Sequence, residues 1–336
     1  MKALVLGGSV FVGRRLVELL VAGGHDVTVL NRGRTATDLP DSVQRLTADR
    51  TDPASMRAAL DGTTWDALYD VSGFVMAAGG SDIDALLDLV DGTIGHYVYV
   101  SSIMAYDQSQ SGLFPWTEDM AADGSGPGSY GGFKAMAEAA MLARRRDTGL
   151  PVSIVRPAAI YGPLNNIYDM ETPMFVRLVQ QRPILLPHGG LVAGSYGHVD
   201  DLCQLMIDMI GVEAALGEVF NVTNEGITTR RYVDTLAEIV GVEPNVVMIP
   251  DDRLADMPAG VFGHLFGTRH HAVLSIDKAR RLLGFEPVYD FVRGHRQTYE
   301  WFTAQGWASL DHSLADPVWR ASWDLDAEAR AVEMLS

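Results

Sequence analysis

Residues 2–20 read KALVLGGSVFVGRRLVELL. Ala3, Leu4, Val5 and Leu6 form a short apolar run, the pattern of a parallel strand covered on both faces. Gly7, Gly8 and Gly13 supply a turn, and Val12, Leu16, Leu19 and Leu20 then recur at helical spacing. A strand that feeds a helix through glycines aims backbone N–H groups and a positive helix end at one spot, which suits a pyrophosphate. The spacing is G-x-x-x-x-x-G, with Val10 where a middle glycine often sits. Glycines alone mark ordinary turns; their place between a first strand and a first helix is what points to a dinucleotide.

Outward from this stretch, strands and helices alternate. Strands are expected at residues 26–30 (DVTVL), 43–47, 66–71 (DALYDV), 96–100 (HYVYV) and 151–156 (PVSIVR), with helices between them. Asp52-Pro53 is a helix start with Asp as cap and Pro in the first turn. A Gly/Ser/Pro/Asp-rich loop runs from about 107 to 129 and leads into a helix from Tyr130 to about Arg146. The expected fold is α/β: a Rossmann, doubly wound parallel sheet with a smaller, mostly helical C-terminal substrate lobe. The dinucleotide-binding domain is expected at 1–160 plus about 195–225, where GEVFNV (217–222) returns a strand to the sheet. The lobe and a tail with Trp307, Trp319 and Trp323 take about 161–194 and 226–336.

Twenty-six Lys and Arg stand against 43 Asp and Glu, a net charge of −17. That balance disfavours nucleic acid and anionic membranes as partners and leaves a small-molecule substrate as the expectation. Cys203 is the only cysteine, so no intrachain disulfide and no cysteine zinc site is expected. No window reaches the ~18 uninterrupted apolar residues of a membrane span, and the apolar run before Gly7 is too short for a signal peptide. A cytoplasmic enzyme is the expectation, and metal ligands are not foreseen.

The second strand ends in Asn31-Arg32-Gly33-Arg34. An acid there would bind the adenosine ribose hydroxyls, whereas guanidinium groups suit a 2′-phosphate, so NADP(H) is expected over NAD(H). Tyr130 and Lys134 lie one helical turn apart on one face. An ammonium near a phenol lowers its pKa, which lets Tyr130 exchange a proton with a hydroxyl or carbonyl. Lys134 is also suited to hold the nicotinamide ribose, and a serine at the end of the preceding strand, such as Ser102, to bind the reacting oxygen.

These stretches, with GGSVFVG (7–13), NRG (31–33), ADRTD (48–52), YVSSIMAY (99–106), YGGFK (130–134), VRPAAIYGP (155–163), HVDDL (198–202), EVFNVTN (218–224) and DKARRLLGFEP (277–287), resemble the extended short-chain dehydrogenase/reductases of the NAD-dependent epimerase/dehydratase superfamily. The resemblance implies Ser102, Tyr130 and Lys134 as the catalytic set. It implies cofactor contacts from Gly7, Ser9, Val10, Phe11, Val12, Gly13, Asn31, Arg32, Arg34, Asp49, Arg50, Ser72, Gly73 and Pro157, besides Tyr130 and Lys134. Substrate contacts are expected from Met104, Tyr161, Asn165 and Asn166, and a homodimer through helices near 83–90 and 130–146.

Departures from the pattern narrow the chemistry. Dehydratase-like members carry acids just after the Ser/Thr position; here Ile103 and Met104 stand there, and neither moves a proton. Ala159 replaces a frequent Asn, and Gly194-Ser195 a frequent Arg-Asp, so the usual grips on a nucleoside diphosphate are partly missing. Asn165, Asn166, Arg269 and His270 are the residues placed to compensate. Asp200-Asp201 reads as a helix cap. The expected function is an NAD(P)-dependent oxidoreductase acting at a secondary alcohol or ketone of a sugar derivative or similar small carbonyl compound. The alternatives are a nucleotide-sugar epimerase with retained cofactor, or a non-catalytic protein, either a cofactor-binding regulator, opposed by the Ser-Tyr-Lys set, or an RNA-associated scaffold, opposed by the net charge of −17.

Overall fold

The computed structural model describes residues 1–35, 38–72, 81–110, 113–165, 170–258, 261–262, 266, 270–304 and 325–335. The strands are β1 (Lys2–Leu6), β2 (Asp26–Asn31), β3 (Gln44–Thr47), β4 (Ala67–Asp70), β5 (Tyr97–Val100), β6 (Val152–Pro157), β7 (Ala159–Tyr161), β8 (Ile184–Leu186), β9 (Ala193–His198), β10 (Val219–Val222), β11 (Glu225–Thr228) and β12 (Val246–Met248). The main sheet has the order β10-β6-β5-β4-β1-β2-β3, with every neighbouring pair parallel. Strand order reverses between β1 and β4, and the crevice of such a sheet opens at the strand C-termini of that switch point. The glycine turn at 7–13 follows β1 directly.

The helices are α1 (Phe11–Ala22), α2 (Pro53–Leu60), α3 (Ser81–Val90), α4 (Tyr130–Thr148), α5 (Glu171–Val179), α6 (Val199–Asp208), α7 (Thr229–Val240), α8 (Asp277–Leu283), α9 (Phe291–Ala304) and α10 (Leu325–Glu333). Strand residues alternate between two cores, as the period of two requires. Ala3, Val5, Val27 and Val29 face Leu16, Val17, Leu20 and Met206; Leu4, Leu6, Leu68 and Ile154 face Met56, Leu87, Phe133 and Met141. Asp52 caps α2 through the Ala54 N–H, and Gly149 ends α4 in the left-handed conformation.

The lobe holds helices α5, α7, α9 and α10 and, beside them, short strands. It carries a three-stranded sheet, β11-β9-β7, and a two-stranded sheet, β12-β8. Its core is aromatic, with Tyr161, Phe175, Tyr196, Tyr232, Phe291 and Phe302. α8 falls in the span expected for the lobe, yet Ala279 joins Ile276 and Phe285 in the core of the main sheet. The cap of α6 is also not the expected aspartate: the His198 ring accepts from the Asp200 N–H at 3.2 Å. Asp201 instead accepts the backbone N–H groups of Val288 and Tyr289. The three tryptophans of the tail lie outside the described residues. Among those residues no helix is long and apolar enough to cross a membrane.

Candidate active site

The glycine turn is built for close approach. A Cβ on Gly13 would fall 2.6 Å from the Gly8 nitrogen and 2.9 Å from the Val71 side chain, so α1 meets the turn only without one. Val10 stands at the N-cap of α1 in extended backbone, which any residue adopts, and its side chain is exposed. The departure at this position therefore leaves the turn intact. Val10 gives α1 no side-chain cap, which leaves the first N–H groups of the helix to serve as donors for an anion. Ser9 and Val12 stay partly exposed beside them, while Phe11 packs into the core. These residues fit the pyrophosphate of a dinucleotide.

Beyond β2 the expected contacts divide. Arg32 and Arg34 are exposed. Asn31 is a brace: its amide donates to Ser9 Oγ at 2.9 Å, and its carbonyl accepts the Gly33 N–H at 2.8 Å. Asp49 holds the Thr51 N–H and hydroxyl, which keep its carboxyl below the usual range, with Arg32 and Arg34 adding to the effect. Arg50 corrects the expectation of a cofactor contact. Its guanidinium turns inward to Asp70 at 2.5 Å and Ser72 Oγ at 2.6 Å, because a buried carboxylate draws it there. Ser72 is thereby fixed at the crevice edge; Gly73 lies outside the described residues.

The two serines after β5 take opposite directions. Ser101 donates to Glu138 and is closed off, whereas Ser102 hydrogen-bonds the Tyr130 hydroxyl and accepts the Met104 N–H at 3.1 Å. Tyr130 opens α4, which Ser129 caps through the Gly132 N–H. The phenol is not acidified as expected from its spacing to Lys134: burial pushes it up to about 12, and the Ser102 bond only opposes that. The Lys134 Nζ lies 5.7 Å from the Tyr130 ring centre and donates instead to the Val100 carbonyl at 2.6 Å. Burial brings that ammonium down to about 7, so near neutrality it gains or loses its proton readily. Pro157, at the end of β6, is buried.

Gly131 sets the Ser102–Tyr130 geometry. A Cβ there would fall 2.1 Å from the Met104 carbonyl oxygen. Gly131→Ala must push α4 from the turn after Ser102, and a displacement of ~1 Å is expected to cost about 10²-fold in turnover with cofactor affinity kept. Steady-state kinetics beside a cofactor titration checks this.

On the substrate side Met104 is exposed next to Ser102. Tyr161 and Asn165 are corrections. β7 directs the Tyr161 ring into the lobe, stacked 3.8 Å from His295, with no surface left for a ligand. Asn165 is buried, and its amide donates to Glu171 at 2.9 Å, a carboxyl that burial has raised to about 7. Ser195 likewise faces inward and accepts the Leu274 N–H. Asn166 and Arg269 lie outside the described residues; His270 is exposed.

Residues 3–223 match the model of the NAD dependent epimerase/dehydratase family. The chain belongs to that family. An Arabidopsis thaliana relative, the chloroplast stem-loop binding protein of 41 kDa b, is 28% identical over 318 residues, 89% of this chain and 78% of that protein. The UDP-glucose 4-epimerase of Thermotoga maritima, solved with UDP-glucose, superposes with a TM-score of 0.76 at 21% identity, covering 91% of this chain and 99% of that one. The dTDP-glucose 4,6-dehydratase of Bacillus anthracis, solved with NAD, gives 0.73 at 18%, covering 90% and 97%. Other relatives include an epimerase, a dehydratase and a reductase. This member of the epimerase/dehydratase family is an enzyme of the extended short-chain dehydrogenase/reductase type.

Behind its reactive groups this family member carries a polar network that the sequence reading missed. Glu138, one turn beyond Lys134, takes the Ser101 hydroxyl and a two-pronged grip from Arg156 at 2.5 and 3.0 Å. Arg156 also lies 4.3 Å over the Tyr106 ring, whose hydroxyl donates to Asn221 at 2.7 Å. The signal was present: Tyr130, Lys134 and Glu138 recur at four-residue spacing, and Arg156 is the one charged residue of strand β6.

Proposed function

We propose that this protein is an NADP(H)-preferring oxidoreductase that moves hydride at a secondary alcohol or ketone of a sugar derivative or similar small carbonyl compound. The observation that carries the reading is the Ser102–Tyr130 hydrogen bond over buried Lys134, at the crevice that the glycine turn opens, with Ile103 and Met104 where an eliminating enzyme needs acids. Ser102 orients the substrate oxygen, and Tyr130 gives or takes its proton. Lys134, when protonated, favours the phenolate and binds ribose hydroxyls. A nicotinamide supplies the hydride donor or acceptor when bound.

The glycine turn, Ser9 and Ser72 hold the cofactor in this reading, and Arg32 and Arg34 receive a 2′-phosphate. Arg32→Ala is expected to weaken NADPH about tenfold, ~1.4 kcal/mol, while NADH stays within about twofold. Fluorescence titration with both nucleotides measures this. Equal losses for the two would remove the phosphate assignment, and no binding of either to the native protein would remove the enzyme reading.

Turnover of NADPH with a panel of ketones and keto-sugars tests the reaction class. Interconversion of a nucleotide sugar with no net cofactor turnover would instead favour the epimerase. Nucleic acid stays outside the proposal despite the stem-loop binding relative, since a net charge of −17 opposes a polyanion. A mobility shift with structured RNA at physiological salt checks that point. A homodimer through α3 and α4 completes the reading, with Met136 exposed on α4 and Arg144 pairing with Asp88 and Asp91 of α3. Sedimentation velocity measures the assembly state.

A further inference from the structure

Under Lys134 lies a buried charge pair whose groups belong neither to the catalytic set nor to the glycine turn. β4 runs Ala67, Leu68, Tyr69 and then ends on Asp70, which is wholly buried. A carboxylate in such a place requires partners. Asp70 has them on both oxygens. Oδ1 accepts the Arg50 guanidinium at 2.5 Å, the Ser72 hydroxyl at 3.1 Å and the Ser72 N–H at 3.3 Å. Oδ2 accepts the Tyr97 hydroxyl at 2.8 Å. In the β4–β5 register Asp70 stands opposite Tyr99, and the Lys134 Nζ lies 4.8 Å over the Tyr99 ring. Asp70 thus pairs directly with Arg50, and Lys134 lies close enough to feel both charges.

We infer that Asp70 is a positioning residue for the reaction: with Arg50 as its counter-ion, it governs whether Lys134 holds its proton beneath Tyr130. The inference rests on the oxidoreductase reading for its purpose, though not for its test. Each group that faces Lys134 has a defined sign. Burial drives the ammonium towards neutrality; Asp70 is the largest influence against that, and Arg50 pushes the same way as burial. Glu138, on α4 itself, adds a smaller hold and is already engaged by Arg156 and Ser101. The Val100 carbonyl accepts from its Nζ at 2.6 Å, and the rings of Tyr99 and Tyr130 lie beside it. Asp70 itself, which burial alone would raise, is kept below the usual carboxylate range chiefly by Arg50, so it stays charged at neutral pH.

The two partners of the pair therefore act on Lys134 with opposite signs, as their charges require, and a positioning role adds that turnover follows the proton on Lys134. The chain makes the measurement simple, because it has three lysines in all: Lys2, Lys134 and Lys278. Protein labelled with 13C at the lysine ε-carbon gives three resonances, and Lys134→Arg assigns the one of interest. In the native protein that resonance is expected to titrate at about 7. Asp70→Asn is expected to move the midpoint down, and Arg50→Met to move it up, each by about one pH unit or more. The double variant returns towards the native midpoint. If Asp70→Asn leaves Arg50 buried without a carboxylate and fails to fold, the rise in Arg50→Met and its reversal in the double variant decide the matter.

A Lys134 midpoint that ignores Arg50→Met, or that moves the same way in both single variants, overturns the inference. The pH limb of turnover is expected to follow the resonance in each variant. A native protein that neither binds nor oxidises NADPH would sink the enzyme reading alone, since the lysine titration still reports on Asp70.

Discussion

Tyr130→Phe is expected to lower turnover by about 10²–10⁴-fold while leaving the nucleotide affinities in place. The substitution removes one oxygen and keeps the ring, so α4 and its Ser129 cap have no reason to move. What disappears is the hydroxyl that Ser102 binds and that exchanges a proton with the substrate. Because burial pushes this phenol up to about 12, at neutral pH it is a proton donor before it is a base. Reduction is the direction in which the unliganded site is already correctly protonated. Steady-state rates with saturating NADPH, beside a fluorescence titration, separate the two effects. Full turnover in Tyr130→Phe would falsify the assigned mechanism, whatever the substrate.

The second large effect is on stability. Arg156→Ala is expected to cost about 3–5 kcal/mol, because it strands the Glu138 carboxylate in the interior with the Ser101 hydroxyl in place of a charged partner. The loss includes the stacking of the guanidinium on Tyr106. Urea unfolding gives the number as a shift in midpoint at constant slope. The double variant Arg156→Met, Glu138→Leu is expected to recover most of it, since replacing both charges by apolar groups removes the uncompensated one. A loss as large in the double as in Arg156→Ala would show that packing, not charge, dominates.

The legible parts of this protein are those that depend on near neighbours in the chain. The turn after β1, the cap at Asp52 and the Tyr130–Lys134 spacing each need fewer than about ten residues to be specified. The seven-stranded parallel sheet followed from the alternation of such units, and both its fold class and its family membership stand. What escaped depends on distant partners. Arg50 reads as a cofactor contact until Asp70, twenty residues on, draws its guanidinium inward. Tyr161 and Asn165 lie in a stretch that resembles a substrate segment, but spacing alone does not tell which face of β7 meets the lobe core. The small sheets went unseen because strands such as AIY (159–161) and ILL (184–186) are too short to display a period.

The path of the chain between its two cores bears on how such a protein can be altered. It leaves the main sheet after Pro157, comes back with Val199, departs beyond Val222, rejoins the main core at Ile276 and exits again before Phe291. The lobe is stitched through the sheet rather than appended to it. No single cut releases it, and no cassette exchange can replace it in one piece. Wholesale exchange of the lobe would have to rejoin several separate seams at once, whereas a change of side chain or loop tip disturbs none of them.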